Sequence, residues 1–308
     1  MNAHLRRIAV LAGGVSCERE VSLISGKAVF EAFVSLGYDA VFIDAADDFI
    51  TAIRSSGATA VFIALHGTFG EDGTVQRVLE KEGVPYTGCG PKASEVAFDK
   101  SRAQALFAKA GLCVPEYKIL EKYGPRPVEP PLSVPFVVKP ASSGSSVGIT
   151  IVRAAKDAPA AYEEAFRWSE RVLVEKFIQG RELTVGILGD EALPVVEVIP
   201  ASPFYDYEAK YKSSGTRYEF PARLTPGETE RVQRAALDAY RALGCEVMAR
   251  VDVMLSGDGV PYVLEANTIP GLTGKSLLPK AAKAAGIDFP GLCVKILDLS
   301  LSRVKVGG

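Results

Sequence analysis

The alternation of short apolar runs with longer amphipathic stretches in the first 90 residues constrains the fold more than any other feature. The runs RIAVLAGG, AVFIDA and TAVFIALHG hold β-branched and apolar residues without polar alternation, which predicts strands buried on both faces. Helical spacing of apolar residues is found at 18–36 and 49–57. This order predicts a parallel sheet with right-handed crossovers. Functional loops should therefore collect at the carboxyl ends of its strands.

Two further segments follow. Residues 91–180 mix strands and helices, whereas residues 181–308 are mostly strands. Strands are predicted at PFVVKP, VLVEKF, ELTVGIL, ALPVVEVI, EVMARVDVML and PYVLEA. Helices are predicted at 99–110, at 226–244 and twice after Ser276, and a long helix is predicted before VLVEKF. We therefore expect three packed units, at 1–90, 91–180 and 181–308.

Charge and cysteine content exclude several classes of protein. Lys and Arg total 35 against 37 Asp and Glu, which argues against a general nucleic-acid or membrane-surface binder. No apolar run approaches the roughly 18 residues needed to cross a bilayer, and the first residues lack a signal-peptide pattern. Five widely spaced cysteines offer neither a disulfide framework nor metal-ligand spacing. We expect a reduced, soluble, cytoplasmic protein with no nucleic-acid or membrane partner.

The stretch KPASSGSSVG at residues 139–148 is a candidate phosphate loop. Small residues let the backbone approach a ligand, and successive amides can donate to phosphate oxygens. Lys139 ends an apolar strand, where a charge is unfavourable unless it is paired. The alternative is a flexible Ser/Gly hairpin. The loop lacks the pattern of a Walker motif, and the glycines at 13 and 14 lack dinucleotide-binding spacing.

Two neighbouring strands carry a candidate metal site. Alternate side chains of a strand share a face, so Arg250 and Asp252 project together, as do Glu265 and Asn267. Two carboxylates and an amide oxygen suit Mg²⁺ bound together with substrate phosphates. The alternative is an Arg–Asp ion pair on a solvated face. A metal site is favoured because both strands otherwise look buried on both sides.

Four weaker signals have structural alternatives. Glu18 begins a helix, where an acid is often only a capping or dipole partner. His66 ends a buried strand, where one histidine alone is more often structural. Residues 204–220 are rich in tyrosine and lysine, which fits either a surface loop or a lid over a phosphorylated ligand. Ser276 precedes a helix, where it can cap the helix while the free amides bind a carboxylate.

These pieces, in this order, resemble the D-alanine–D-alanine ligases of the ATP-grasp superfamily. The match spans nearly the whole chain, through GGVSCEREVSLISG, ALHGTFGEDGTVQ, PYTGCGPKAS, DKSRAQ, VVKPASSGSSVG, VLVEKFIQGRELTV, FYDYEAKY, RVDV and EANTIPGLTGKSLLP. The resemblance implies a three-domain α/β (α+β) ATP-grasp fold. An N-terminal Rossmann-like domain with a parallel sheet would precede two ATP-grasp subdomains.

The resemblance also implies an activity. ATP would phosphorylate the carboxylate of one D-alanine, and the amine of a second D-alanine would displace the phosphate. The product, D-alanyl-D-alanine, serves peptidoglycan synthesis. Two Mg²⁺ ions, with Mn²⁺ as a substitute, and a homodimer are expected.

Residue roles follow from the same resemblance. The residues expected at the ATP phosphates are Lys100, Lys139, Ser145, Ser146 and Lys210. The adenine site would use Glu175, Lys176, Phe177 and Ile178, the ribose Glu182, and the metal ions Asp252, Glu265 and Asn267. Glu18 would hold the first ammonium and form a bridge with Ser145 and Tyr211. Arg250 and the N–H of Gly271 would stabilise the oxyanion. The second substrate would lie near His66, with its carboxylate on Ser276 and the amide of Leu277.

Departures from the family pattern are small. ASSGSSVG lacks the bulkier polar residues that often precede GSS, and Ala266 replaces a larger apolar residue between two metal ligands. The YDYEAKY stretch around Tyr211 resembles dipeptide-forming members. The rival hypotheses are another ATP-grasp carboxylate–amine ligase, of the glutathione synthetase or biotin carboxylase kind, and an ATP-binding regulatory protein. Glu18 with TGKSLLP argues against the first, and the intact Arg250 and Asp252 argue against the second.

Overall fold

A computed structural model describes residues 7–144, 147–200 and 215–304 of the chain. The first unit contains β1 (Ile8–Ala12), α1 (Arg19–Ser35), β2 (Ala40–Asp44), α2 (Phe49–Ser56), β3 (Ala60–Ile63) and α3 (Thr74–Lys81). Its strands form a parallel sheet in the order β2-β1-β3. All of β1 is buried, because α1 packs on one face and α2 with α3 on the other. The predicted parallel sheet is confirmed.

The second unit is an antiparallel sheet in the order β4-β7-β5-β6. Helix α6 packs on the sheet, and its alanines and aromatic side chains join Phe136 and Val138 in one core. The elements of this part of the chain are α4 (Pro91–Phe98), α5 (Lys100–Lys109), β4 (Tyr117–Glu121), β5 (Phe136–Pro140), β6 (Thr150–Val152), α6 (Ala158–Phe166) and β7 (Arg171–Lys176).

The third unit is a larger antiparallel sheet in the order β11-β10-β8-β12-β13, with β9 paired to β8. Its elements are β8 (Gly180–Leu188), β9 (Glu191–Ala192), β10 (Val196–Ile199), β11 (Arg217–Glu219), α7 (Pro226–Ala242), β12 (Met248–Ser256), β13 (Pro261–Asn267), α8 (Leu277–Ala284) and α9 (Phe289–Val304). Among the helices that the structure describes, none has the length and apolar character to cross a membrane.

Packing joins the third sheet to both other parts of the chain. One face of the third sheet, formed by β8, β12 and β13, is covered by side chains of α4, α5 and α7. Helices α4 and α5 therefore pack on the third sheet, although in the sequence they come before the strands of the second sheet. Helices α8 and α9 share a core with α1 and β1. The other face of β12, which carries Arg250 and Asp252, lines a cleft. The exact boundaries at residues 90 and 180 stay a prediction.

The sequence predicted most of these elements but missed several. Strand β4 is largely exposed, so it has no apolar run to reveal it. Strands β6 and β11 are three residues each, and α3 and α4 are eight each, too short for a clear period. The helix before VLVEKF was expected to be long, but α6 has only nine residues.

Candidate active site

A cleft of about 670 Å³ lies where the three units meet. Its walls come from the start of α1, the loops after β3 and β5, one face of the third sheet and the loop that enters α8. The predicted site residues that line it are Glu18, His66, Lys100, Glu182, Arg250, Asp252, Glu265, Asn267, Gly271, Ser276 and Leu277. Folding thus brings most of the predicted site together.

The three predicted metal ligands lie on adjacent strands. The register of β12 and β13 pairs Asp252 with Glu265 and Arg250 with Asn267, and the register shifts just after Asp252. In the part of the chain that the structure describes, no group of three or more His, Cys, Asp or Glu side chains is arranged to hold a metal ion by itself. Two carboxylates and one amide nevertheless fit a hard cation that takes its remaining oxygens from phosphate.

Arg250 and Asp252 form a bidentate ion pair in the wall of the cleft. The guanidinium donates from Nε to Oδ1 at 2.9 Å and from Nη2 to Oδ2 at 2.7 Å. The side chains are only 13% and 17% exposed, so the pair does not lie on a solvated face. Nor is β12 buried on both faces as expected; its side chains alternate between buried and half-buried. The ion pair and a metal site thus share the same carboxylate.

Lys100 links the glycine–serine loop to the carboxylates. It is the first residue of α5, and the Asp99 side chain caps that helix. The Nζ atom donates to the Ser143 carbonyl oxygen at 2.6 Å and lies 3.4 Å from Glu265 Oε2. A buried cation in this position can attract phosphate oxygens.

Lys139 is also buried, and its partner is Glu175, with Nζ 2.7 Å from Oε2. Glu175 also accepts a hydrogen bond from the fully buried Gln104. The structure therefore explains how an apolar strand tolerates this lysine. The predicted adenine residues Glu175, Lys176, Phe177 and Ile178 are adjacent at and after the end of β7, but neither they nor Lys139 line the described cleft.

Glu18 lies at the N-terminus of α1 and is buried. Its side chain does not cap the helix, which leaves it in the cleft wall. Two glycines allow this: a Cβ atom at Gly67 would lie 2.6 Å from Glu18 Oε2, and one at Gly144 only 2.3 Å from it. The first unit and the glycine–serine loop thus meet at this carboxylate.

His66 is buried between two residues that the sequence analysis did not single out. Its Nε2 lies 3.0 Å from Ser25 Oγ, and its Nδ1 lies 3.4 Å from Glu71 Oε1. The Ser25 hydroxyl also accepts from the N–H of Leu272 at 3.5 Å. Ser25, on α1, therefore links the histidine to the loop that enters α8. Ser25 could have been predicted as a partner of His66, because it is a polar residue on the apolar face of α1.

The N-terminus of α8 faces the cleft. Ser276 occupies the cap position but does not cap with its side chain, contrary to expectation; its Oγ instead accepts from the N–H of Thr273 at 3.2 Å. A Cβ atom at Gly271 would lie 2.9 Å from that hydroxyl. The first amides of α8 therefore have no side-chain cap and can donate to an anion.

Positive charge collects beside this helix end. Lys275 lines the cleft, and Lys280 Nζ lies 4.7 Å from the centroid of the Tyr218 ring. Burial lowers the pKa of Lys280, and the nearby charge of Lys275 lowers it further. Cations near a helix N-terminus are unfavourable by themselves, so the local field favours an anionic ligand.

Four predicted site residues, Ser145, Ser146, Lys210 and Tyr211, lie outside the described residues, and so does most of the predicted lid. Their roles stay predictions. Conversely, Thr184 lines the cleft from β8 but was not predicted as a site residue. The sequence predicts the strand that carries Thr184, but nothing in the local sequence shows that β12 is its neighbour in the sheet.

At the level of class, the fold and the cleft are those of an ATP-grasp protein: one parallel and two antiparallel sheets enclose a site with basic and acidic walls. Two family models match the chain, the D-ala D-ala ligase N-terminus over residues 49–89 and the D-ala D-ala ligase C-terminus over residues 106–298.

Curated relatives cover nearly the whole chain. The D-alanine–D-alanine ligase of Methylacidiphilum infernorum is 46% identical and aligns over 98% of both chains. That of Citrifermentans bemidjiense is 46% identical over 97% of both. A crystal structure of the Bacillus anthracis D-alanine–D-alanine ligase complexed with ATP superposes with a TM-score of 0.88 at 35% identity, covering 98% of this chain and 100% of that one. A D-Ala:D-Ser ligase from Enterococcus faecalis gives 0.81 at 30% identity, covering 96% and 99%.

The chain therefore belongs to the D-alanine–D-alanine ligase family. The family and the ATP-grasp fold predicted from the sequence are confirmed.

Proposed function

We propose that this protein joins two D-alanines at the expense of ATP, through a D-alanyl phosphate, and so provides D-alanyl-D-alanine for peptidoglycan precursors. The observation that carries the proposal is the convergence of Glu18, Arg250, Ser276 and the carboxylate–amide cluster in one cleft. ATP as the phosphoryl donor is supported by the Bacillus anthracis relative, which is described as complexed with ATP.

In the first step, the carboxylate of one D-alanine attacks the γ-phosphorus of ATP and ADP leaves. Glu18 would hold the ammonium of that D-alanine, because a buried carboxylate at the cleft wall favours a cation. Lys100, Lys139, Ser145, Ser146 and Lys210 would bind the phosphates. Their contribution is positioning and charge neutralisation, on which phosphoryl transfer depends.

The nucleoside would lie toward the second unit. Glu175, Lys176, Phe177 and Ile178 would contact the adenine, and Glu182 would bind the ribose. Glu182 lines the cleft, and the other four continue from β7 toward it along the chain. In this proposal the base would lie beside the buried Lys139–Glu175 pair.

Asp252, Glu265 and Asn267 would hold two Mg²⁺ ions, for which Mn²⁺ can substitute. Their oxygen atoms are the ligand type that these cations prefer. Asp252 and Glu265 lie opposite each other on the two strands, and Asn267 lies two residues farther along β13. When bound, the ions supply positive charge that offsets the charge of the phosphates. Lys100, which lies beside Glu265, adds a further positive charge.

In the second step, the amine of the other D-alanine attacks the acyl carbon, a tetrahedral oxyanion forms, and phosphate leaves as the peptide bond is completed. Arg250 and the N–H of Gly271 would stabilise that oxyanion. The carboxylate of the second D-alanine would bind the Ser276 hydroxyl and the Leu277 amide, where α8 offers uncapped donors. His66 would lie near this substrate, and Ser145 and Tyr211 would complete a bridge with Glu18.

The test is phosphate release by the purified protein with Mg-ATP and either D-alanine, L-alanine, D-serine or no amino acid. We expect release with D-alanine, accompanied by ADP and the dipeptide. ATP turnover that is indifferent to D-alanine would overturn the proposal and favour another ATP-grasp carboxylate–amine ligase.

A matched pair of variants sharpens this test. Glu18→Gln should lower kcat/KM for D-alanine by about 10- to 100-fold, the value of one charged hydrogen bond. Glu20→Gln alters an exposed residue in the same helix and should leave the activity unchanged. Equal activity of the two variants would remove Glu18 from the substrate site.

We also propose a cytoplasmic homodimer that has no nucleic-acid or membrane partner. Five free cysteines and dependence on ATP support that compartment. The near-balanced charge supports the absence of a nucleic-acid partner. Support for the dimer comes from exposed apolar side chains on the first unit, namely Val34, Leu36 and Phe42.

A further inference from the structure

A buried hydroxyl is bonded to the carboxylate that pairs with Arg250. Thr184 lies on β8, directly across the sheet from Asp252 on β12. It is only 1% exposed, and its Oγ1 lies 2.7 Å from Asp252 Oδ1. The Val251 carbonyl oxygen is farther away, at 3.4 Å. Because a hydroxyl has a single proton, the shorter contact to the carboxylate takes it.

The two oxygens of Asp252 are not equivalent. Oδ1 accepts from both Thr184 and Arg250 Nε, whereas Oδ2 accepts, among the residues that the structure describes, only from Arg250 Nη2. Each carboxylate oxygen has about two acceptor sites, so Oδ1 is saturated and Oδ2 retains one. The hydroxyl thus fixes the plane of the carboxylate and distinguishes the oxygen that is still able to bind a cation.

We propose that Thr184 is a positioning residue that orients Asp252 for divalent-cation binding, an inference that rests on the proposed metal site. Without the hydroxyl, Arg250 would be the remaining side chain bonded to Asp252 within the described part of the chain. Arg250 is also the proposed oxyanion donor, so its hold on Asp252 would change as substrate binds. Thr184 keeps the carboxylate in place independently of that arginine. Loss of such supporting hydrogen bonds commonly weakens metal binding by about 10- to 100-fold.

The decisive comparison uses Thr184→Val, which keeps the branched shape but removes the donor, and Thr184→Ser, which keeps the donor. Mn²⁺ binding to each protein with a non-hydrolysable ATP analogue is measured from the free Mn²⁺ signal in electron paramagnetic resonance. We expect the Mn²⁺ Kd to rise about 10-fold or more in Thr184→Val. Thr184→Ser should stay within about threefold of the wild type. Equal affinity in Thr184→Val and the wild type would overturn the inference.

Thr87→Val is the matched control. Thr87 is as buried as Thr184, and its hydroxyl accepts from the N–H of Ile63, outside the cleft. This variant should lose stability but not Mn²⁺ affinity. If Thr87→Val weakens Mn²⁺ binding as much as Thr184→Val does, the effect is general destabilisation and the inference fails. If Thr184→Val does not fold, the Mn²⁺ Kd of Thr184→Ala, which lacks the hydroxyl, is compared with that of Thr184→Ser, which keeps it.

Kinetics provide a second readout. In Thr184→Val, the Mg²⁺ concentration for half-maximal activity should rise, while kcat recovers at saturating Mg²⁺. A loss of kcat that Mg²⁺ does not restore would contradict a positioning role. Asp252→Asn distinguishes a failure of the proposed metal site from a failure of the role proposed for Thr184. If it leaves Mn²⁺ binding intact, the metal site itself is wrong; if it abolishes binding while Thr184→Val does not weaken it, only the role of Thr184 is wrong.

Discussion

At the scale of single residues, the absence of side chains matters as much as their presence. Glu18 is held between Gly67 and Gly144, neither of which leaves room for a Cβ atom beside the carboxylate. At Gly144 the backbone φ lies outside the left-handed region, so the constraint there is steric contact. The atom in the way is the end of a flexible side chain, which would move before the backbone did.

We therefore predict that Gly144→Ala displaces the Glu18 carboxylate and lowers kcat/KM for D-alanine by about 10-fold or more, comparable with losing a charged hydrogen bond. The melting temperature should change little. Gly257→Ala is the control, since a Cβ atom there would meet nothing within 4 Å. Steady-state kinetics and thermal melts of both variants check this, and full activity in Gly144→Ala would contradict it.

A second residue-scale prediction concerns acid stability. Arg19 donates to both carboxylate oxygens of Asp44, at 2.8 and 2.5 Å, and these bonds hold the pKa of that carboxyl well below its usual range. The unfolded chain, with an aspartate pKa of about 4, binds the proton first. The stabilisation is therefore complete above about pH 5 and is lost as the pH falls.

Asp44→Asn should accordingly reduce the free energy of unfolding at pH 7 by about 1 kcal/mol, since the pair is partly exposed. It should also flatten the decline in stability between about pH 5 and pH 3. Urea unfolding across that range checks both statements. Parallel pH profiles for the variant and the wild type would show that the ion pair does not stabilise the fold.

At the scale of elements, the N-termini of two helices differ: one is capped by its own side chains, and the other is left uncapped at the cleft. The N-terminus of α8 has no side-chain cap and faces the cleft, where its amides can donate to an anionic ligand. The N-terminus of α7 is instead closed by a capping box. Thr225 accepts from the N–H of Glu228, and the Glu228 carboxylate accepts from the N–H of Thr225 at 2.8 Å.

Thr225→Ala should therefore lower the free energy of unfolding by about 1 kcal/mol. Its kcat/KM should not change, because α7 packs on the face of the third sheet opposite the cleft. Denaturant unfolding and kinetics on one preparation suffice for the test. A loss of activity without a loss of stability would contradict the separation between these two helix ends.

At the scale of the whole molecule, the first unit presents an edge strand and an apolar patch. Strand β2 lies at the edge of the parallel sheet, and Val34, Leu36 and Phe42 are exposed beside or on it. Open edges and apolar patches of this kind are commonly covered in an assembly. This is the surface through which we expect two copies to associate.

Light scattering after size exclusion should therefore give twice the chain mass, and Val34→Lys should shift it toward the monomer. Val128→Lys makes the same substitution at a fully exposed valine, in a proline-rich segment at residues 125–135, and should leave the mass unchanged. A monomeric wild type at micromolar concentration would refute the dimer, and a dimeric Val34→Lys would place its interface elsewhere.

The sequence by itself determined the order and type of the principal strands and helices, and the family. It also predicted that Arg250 and Asp252 share one face of β12, because strand alternation is a local property of the chain. Strand alternation also led to the prediction of Glu265 and Asn267, whereas Lys100 was predicted through the family resemblance.

Only the tertiary structure decided which segments meet. It placed α4 and α5 on the third sheet, paired Lys139 with Glu175, and set Thr184 against Asp252. It also left Ser276 without the capping bond that its position predicted. The physical reason is that periodicity and side-chain chemistry are encoded within a few residues. Strand neighbours and hydrogen-bond partners, by contrast, come from segments far apart in the sequence, and they depend on how the sheets and helices bury their apolar faces against one another.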